Sequence, residues 1–257
     1  MEKIKEKIRV GIGFATGRKN FLNVLKTYLN NWNSSNFENK NIEIHLFVAY
    51  DLAYKNTKES DFKISDAETL GLIESVHYLD GFIIENDMQE LVHKKIISKS
   101  EASLIFSDGY AGQRNTILYY AIKNNMDYLI FIDDDEYPVA PFKTNNQLVW
   151  AGQEIFAEHL KYLPRCDITH GYHCGYISPI PSFKFNEDLS EDEFRIFIEA
   201  ISNDIITWDS IKEKMDNNGI QYADENILKE SHSHSVEEIS GMKFISGANL
   251  GINLRSP

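Results

Sequence analysis

Along the first half of the chain, apolar and polar positions alternate between two periods. Residues 8–14, Ile-Arg-Val-Gly-Ile-Gly-Phe, place apolar side chains at every second position and predict a buried strand. A small-residue turn, Ala15-Thr16-Gly17, leads into a predicted helix over 18–32. There Phe21, Leu22, Leu25, Tyr28, Leu29 and Trp32 recur at spacings of three and four, one face of a helix. Residues 42–48 alternate again as a strand that ends at Ala49-Tyr50-Asp51, and the polar stretch 55–66 reads as a loop. A shorter helix over 67–74 and a strand over 76–79 follow. Asn86 is suited to cap a helix running to about 98. A helix over about 112–125 feeds the apolar run Tyr128-Leu-Ile-Phe-Ile132, a short buried strand.

Strands alternating with helices predict an α/β fold, a Rossmann-like, mostly parallel sheet with helices on both faces. Such sheets bind ligands beyond the carboxyl ends of their strands. Thr16, Asp51 and Asp133 all fall at that edge. The second half is less regular. A helix is expected over 147–162 and a strand over 167–177. Ser190-Glu-Asp-Glu193 is a capping box that starts a helix to about 202, and 242–254 reads as strand, turn and strand around Gly247-Ala248-Asn249. The change in pattern near 140 divides one domain, 1–257, into a nucleotide-type half, 1–140, and a mixed half, 141–257.

Composition narrows the partners. With 257 residues, 42% hydrophobic and 25% charged, the chain can bury a sizeable core. Its net charge of -13 argues against nucleic acid, which needs a cationic surface. An anionic substrate would need local relief from a metal, an arginine or a helix N-terminus. Cys166 and Cys174 are too few for a disulfide framework and match no zinc spacing, so a reducing, cytoplasmic setting is expected. The N-terminus mixes charges and has no signal-like apolar segment, and no run approaches the roughly 20 apolar residues of a membrane helix. Neither export nor a membrane span is expected; peripheral membrane contact stays open.

The residues with the most chemistry are Asp133-Asp134-Asp135, placed directly after a buried strand. Clustered carboxylates repel one another and are costly to desolvate. Hard cations such as Mg2+ or Mn2+ relieve that repulsion, and Mg2+ often binds one or two carboxylates together with substrate phosphates. The plain alternative is a solvated turn, which Glu136-Tyr137-Pro138 would continue.

Four segments in order resemble GT-A fold glycosyltransferases, most closely the family-2 group. They are the stretch Gly11-Ile-Gly-Phe-Ala-Thr-Gly-Arg-Lys-Asn-Phe-Leu22, the strand ending at Asp51, Gly112-Gln-Arg-Asn115, and Phe131-Ile-Asp-Asp-Asp135. Gly247-Ala-Asn-Leu-Gly-Ile-Asn253 is similar to the small-residue turn these enzymes carry beside the acceptor, so the resemblance runs from about 8 to 254. It implies a metal-dependent glycosyltransferase that moves a sugar from a nucleotide-diphosphate sugar to a saccharide or other hydroxyl acceptor. Asp135 would be a direct ligand of the Mn2+ or Mg2+ ion. Asp133 would serve the metal or the ribose, as would Asp134. Ala15, Thr16 and Gly17 match the first loop, which lies against base and ribose, with Arg18 beside them. Asp51 matches the acidic residue that accepts from the base. Arg114 would face a base, a diphosphate or a neighbouring aspartate.

Each of these has a structural alternative: a strand-to-helix turn for 15–17, the first turn of a solvated helix for Arg18, a strand-end turn for Asp51 and an ion pair for Arg114. His232 and His234 suit either a further metal ligand or a surface loop, the loop being favoured. His170, His173, Trp150, Trp208, Tyr172 and Tyr176 are expected to pack in the core or cleft. The family's catalytic carboxylate beyond the small-residue turn has no counterpart before Arg255-Ser256-Pro257, and Asp224-Glu225 precedes the turn. No catalytic base is assigned: either it lies earlier in the chain, or the acceptor half lacks a C-terminal segment, which is the expectation.

Two other readings compete. One is a nucleotide-sugar-binding relative without turnover. The other is a nucleotidyltransferase, whose glycine-rich, basic first loop Gly11-x-Gly13 and Gly17-Arg18-Lys19 match in part. A phosphohydrolase would need an aspartate straight after the first strand, where Ala15-Thr16-Gly17 supplies none.

Overall fold

A computed structural model describes residues 7–35, 41–144, 147–171, 173–175, 185–202, 208–216, 220, 222–223, 235, 238–239, 242–243, 245 and 247–255. The chain forms two compact units, which interleave along the sequence. The first is Met1–Pro138, Glu154–Gly171 and Ser246–Pro257; the second is Val139–Gln153 and Tyr172–Ile245.

In the first unit the order is β1 (Ile8–Thr16), α1 (Phe21–Ser34), β2 (Ile42–Tyr50), α2 (Ala67–Gly71), β3 (Ser75–Leu79), α3 (Gly81–His93), α4 (Lys99–Ile105), α5 (Gly109–Lys123) and β4 (Tyr128–Phe131). The second unit opens with the hairpin β5 (Val139–Thr144) and β6 (Gln147–Gly152). The chain then returns to the first unit for α6 (Ile155–Tyr162) and β7 (Ile168–His170). Helices α7 (Glu191–Ser202) and α8 (Trp208–Asp216) and the two-residue strands β8 (Glu238–Ile239) and β9 (Met242–Lys243) belong to the second unit, and β10 (Leu250–Asn253) ends the first.

The expected α/β sheet is present. Its strand order is β3-β2-β1-β4-β10-β7. β1 pairs in parallel with β2 and β4, and β2 with β3; β10 runs antiparallel to both β4 and β7. Alternation along the strands divides the core between the two faces. Val10, Ile12 and Phe14 of β1 join Leu46, Val48, Tyr128 and Ile130 against α1 and α6. Phe47, Leu129 and Phe131 turn to the other face and meet Ile117, Tyr120 and Ala121 of α5. The α1 face buries Phe21, Val24, Leu25, Tyr28 and Leu29, the three–four spacing that predicts it. Among the described residues, no helix is long and apolar enough to cross a membrane.

Several local expectations are corrected. Residues 147–152 form strand β6, not the start of a helix, because they pair with β5 in full register from Thr144↔Gln147 to Val139↔Gly152; only Ile155–Tyr162 is helical. Asn86 caps nothing. The third helix begins at Gly81, where Asp80 accepts from the Ile83 amide at 2.9 Å, and ends at His93; Ser98 instead caps α4. Of the strand expected over 167–177, Ile168–His170 is strand and residues 171 and 173–175 are not, while residues 172, 176 and 177 lie outside the described residues. The capping box at Ser190 is found as expected: the Glu193 amide donates to the Ser190 hydroxyl, and Glu193 accepts from the Ser190 amide at 2.9 Å.

Candidate functional site

The site is built on three strand ends. β1 delivers Ala15 and Thr16, β2 delivers Asp51, and β4 runs into Asp133-Asp134-Asp135. Because β1 pairs with both β2 and β4, these ends lie side by side at the carboxyl edge of the sheet. The first turns of α5 add Tyr110, Gln113 and Arg114. Gly112 allows this packing: a Cβ there would lie 1.7 Å from the carbonyl oxygen of Ser107, so only glycine lets the preceding loop cross the helix.

The three aspartates have different environments. Asp134 is 3% exposed and accepts from the Thr16 hydroxyl at 2.5 Å and from Arg18 Nη1 at 3.0 Å. Its backbone carbonyl accepts from Asn20 Nδ2 at 3.1 Å. Its carboxylate therefore ties the turn after β1 to the turn after β4. Asp135 is the exposed member, with 62% of its side chain accessible, and its Oδ2 accepts from the same Arg18 nitrogen at 2.5 Å. Asp133 is half-buried and accepts from Arg114 Nη2 at 2.5 Å. Burial pushes the Asp133 carboxyl above the usual carboxylate range; Arg114 pulls it back, and Glu136 and Asp135 add to the rise. Three carboxylates, Asp133 to Asp135, thus pair with two guanidiniums, and Glu136 accepts from the Asp133 amide at 3.4 Å.

Arg114 is fixed from a second side. A Cβ at Gly247 would lie 2.3 Å from Arg114 Nη1, so the small-residue turn before β10 leaves room for the guanidinium. The guanidinium of Arg18 lies 5.8 Å from the Tyr54 ring centroid. Contact with Tyr54 first, and then with Asp135 and Asp134, holds Arg18 firmly charged.

An open cleft of about 460 Å³ is lined by Ala15, Arg18, Tyr110 and the three aspartates. A smaller hollow of about 200 Å³ shares Tyr110 and is bounded by Gly17, Asp51, Tyr54, Gly109 and Gln113. The Tyr54 and Tyr110 rings meet edge to face at 6.4 Å. Asp51 turns one oxygen inward, accepting from the amides of Ala53 and Tyr54 at 2.9 and 3.2 Å, so it also builds its own turn. Every residue singled out from the sequence for this region lies at this edge: Ala15, Thr16, Gly17, Arg18, Asp51, Arg114 and Asp133 to Asp135. The sequence reading missed Asn20, Tyr54, Tyr110 and Gln113. Asn20 and Tyr54 follow Thr16 and Asp51 closely enough that turn geometry would have suggested them.

Other candidates fall elsewhere. Trp150 is 56% exposed rather than buried, while Trp208 packs with Ile198 and Ile211 in the second unit. His170 and His173 are half-buried. Tyr172, Tyr176, Asp224, Glu225, His232 and His234 lie outside the described residues. Beneath the small-residue turn, His159 is buried, with Nδ1 2.7 Å from the Thr169 hydroxyl and Nε2 2.8 Å from Asn249 Oδ1.

Asp133 and Asp135 are oxygen donors on one cleft and suit a hard divalent cation in kind. Among the described residues, no three His, Cys, Asp or Glu side chains are grouped to hold an ion by themselves. The pair fits only the mode in which phosphate and water complete the shell.

No protein family matches this chain, and no curated protein sequence does. Among solved structures it is similar to the mannosyltransferase Ktr4p from S. cerevisiae, at 10% identity and a TM-score of 0.29, over 85% of this chain and 53% of that one. The complex of Ktr4p with GDP matches at 10% identity and a TM-score of 0.24, over 85% and 54%. The chain spans about half the length of that enzyme. Overlap this loose assigns no role to any residue.

Proposed function

We propose that this cleft binds a nucleotide-diphosphate sugar with a divalent cation, Mn2+ or Mg2+, and that the chain transfers the sugar to a hydroxyl acceptor such as a saccharide. One observation carries the reading: Asp133 and Asp135 line an open cleft together with Arg18, at the sheet edge where this architecture binds ligands. Carboxylates alone would repel a diphosphate. At about 4 Å, two unit charges interact by roughly 4 kcal/mol at an effective dielectric near 20, so several such repulsions need opposing.

Asp133 and Asp135 would hold the cation, whose charge would stabilise the leaving diphosphate. The guanidiniums of Arg18 and Arg114 have the fork geometry that suits phosphate oxygens. Ala15 and Gly17 keep the wall low enough for close approach, and the faces of Tyr54 and Tyr110 are suited to stack on a base. Thr16 and Asp134, turned toward each other, serve as the frame rather than as ligand contacts. Cys166 and Cys174 are free thiols, in keeping with a reducing, cytoplasmic setting.

The test is calorimetric titration with UDP and GDP, with and without Mn2+, followed by assays for hydrolysis and transfer from their sugars. Metal-dependent binding with turnover is expected. Binding with no turnover would favour a nucleotide-sugar binder. Asp135→Ala should keep the fold and abolish the metal dependence; unchanged diphosphate affinity in that variant would move the site elsewhere.

A further inference from the structure

Arg18 has an unusual position for a residue expected to meet phosphate. A single nitrogen, Nη1, bridges Asp134 Oδ1 at 3.0 Å and Asp135 Oδ2 at 2.5 Å, so the guanidinium occupies one of the two oxygens that Asp135 could offer a cation. The two anchors differ in kind. Asp134 is buried and fixed by Thr16, whereas Asp135 is exposed and accepts no other hydrogen bond among those described. The Arg18 side chain is itself 34% exposed, so it has room to leave. Resting on the reading of the cleft given above, we infer that Arg18 is a resident counter-cation of the triplet, which a divalent ion must displace from Asp135 and which an arriving diphosphate draws away.

A guanidinium and a divalent ion held within about 4 Å of each other on one carboxylate repel by several kcal/mol, so each weakens the other's hold there. A diphosphate offers the guanidinium bidentate acceptors of higher charge than a carboxylate. Arg18 then changes partner, and Asp135 is released to the metal. Metal and diphosphate consequently bind with positive coupling, each strengthening the other by the same factor. Without the diphosphate, the cleft keeps its charge compensated and takes up metal poorly.

The experiment measures Mn2+ affinity of the full chain by calorimetry and by Mn2+ electron spin resonance, without nucleotide, in the unmodified protein and in Arg18→Ala, Arg18→Gln and Arg18→Lys. Lys19→Ala serves as a control, since Lys19 pairs with Asp61 and removes an equal charge one residue away. Arg18→Ala and Arg18→Gln should bind Mn2+ about tenfold more tightly, within the usual span of coupling between sites. Arg18→Lys should stay near the unmodified protein, and Lys19→Ala should change little. Coupling between Mn2+ and UDP or GDP should shrink in Arg18→Gln. Equal Mn2+ affinity in Arg18→Gln and the unmodified protein, with diphosphate binding present, would overturn this inference and leave the proposed function standing. An equal gain in Lys19→Ala would overturn it too, as a general charge effect. If no variant binds Mn2+ without nucleotide, this inference falls; the proposed function falls only if Mn2+ also fails to strengthen the binding of UDP and GDP.

Discussion

The hydroxyl of Thr16 donates to Oδ2 of Asp134 at 2.5 Å, across 118 positions of sequence. The contact closes the carboxyl ends of two neighbouring strands onto each other. Its acceptor is a buried carboxylate, which cannot turn to water if the donor is lost. Thr16→Val, which keeps the shape and removes the hydroxyl, should therefore cost about 1–3 kcal/mol of stability, the penalty for a buried polar group left short of a partner. Thr16→Ser should recover most of it. Urea unfolding of the three proteins checks this, and equal midpoints would show that the contact does not hold the two turns.

Neighbouring aspartates should behave oppositely when removed. Asp134 is buried between Thr16 and Arg18, so Asp134→Ala should lose on the order of 2 kcal/mol, reduced from the cost of a fully buried pair because Arg18 is a third exposed. Asp135 is mostly solvated, and Asp135→Ala should change stability by less than about 1 kcal/mol. Thermal melts separate the two cases. Ligand binding should rank them differently, with Asp135→Ala losing metal-dependent affinity while fully folded.

Gly247 offers a way to disturb Arg114 without touching it chemically. A methyl group there would lie 2.3 Å from Nη1 and 2.8 Å from Cζ, atoms at the far end of a flexible side chain. The side chain should move and the backbone hold, so Gly247→Ala should stay within about 1 kcal/mol of the parent. Its cost should appear in the loss of the Arg114–Asp133 pair and in a roughly tenfold weaker affinity for UDP or GDP. Arg114→Ala should weaken binding similarly, and the double variant should lose little more, because both act on one contact. Fully additive losses would show that Gly247 acts by another route.

The sheet was legible because its strands carry β-branched and aromatic runs and α1 shows clean three–four spacing, from Phe21 to Leu29. The clustering of the candidate residues at one sheet edge was legible because turn residues fall where those strands stop. Failures came where the local pattern was ambiguous. Leu148-Val149-Trp150 reads equally well as helix or strand, and its partner strand contains Pro141, which discourages a strand reading. In α3, Phe82 and Ile83 face outward, at 77% and 39% exposure, so apolar spacing pointed away from the true helix start at Asp80. What no sequence pattern could give is the pairing itself. That Arg18 would bridge Asp134 and Asp135, while Arg114 took Asp133, depends on side-chain packing between residues 116 and 19 positions apart.

His159 connects the small-residue turn to acidity. Its ring is buried between Thr169 and Asn249, and burial holds its pKa below the ordinary histidine value, against a smaller upward pull from the Asn249 amide. A depressed histidine binds its proton less readily folded than unfolded. As pH falls through about 6.5, the unfolded chain takes up a proton that the folded chain refuses, so stability declines from there downward. His45 and His77, whose pKa values burial also lowers, push in the same direction. Each proton contributes at most about 1.4 kcal/mol per pH unit. His159→Gln can still hydrogen-bond but cannot titrate, so it should lower the slope of stability against pH between about 6.5 and 5 by up to one proton. Denaturant titrations at several pH values measure that slope. An unchanged slope in His159→Gln would mean that His159 titrates alike folded and unfolded, and that its buried contacts do not make the turn sensitive to acid.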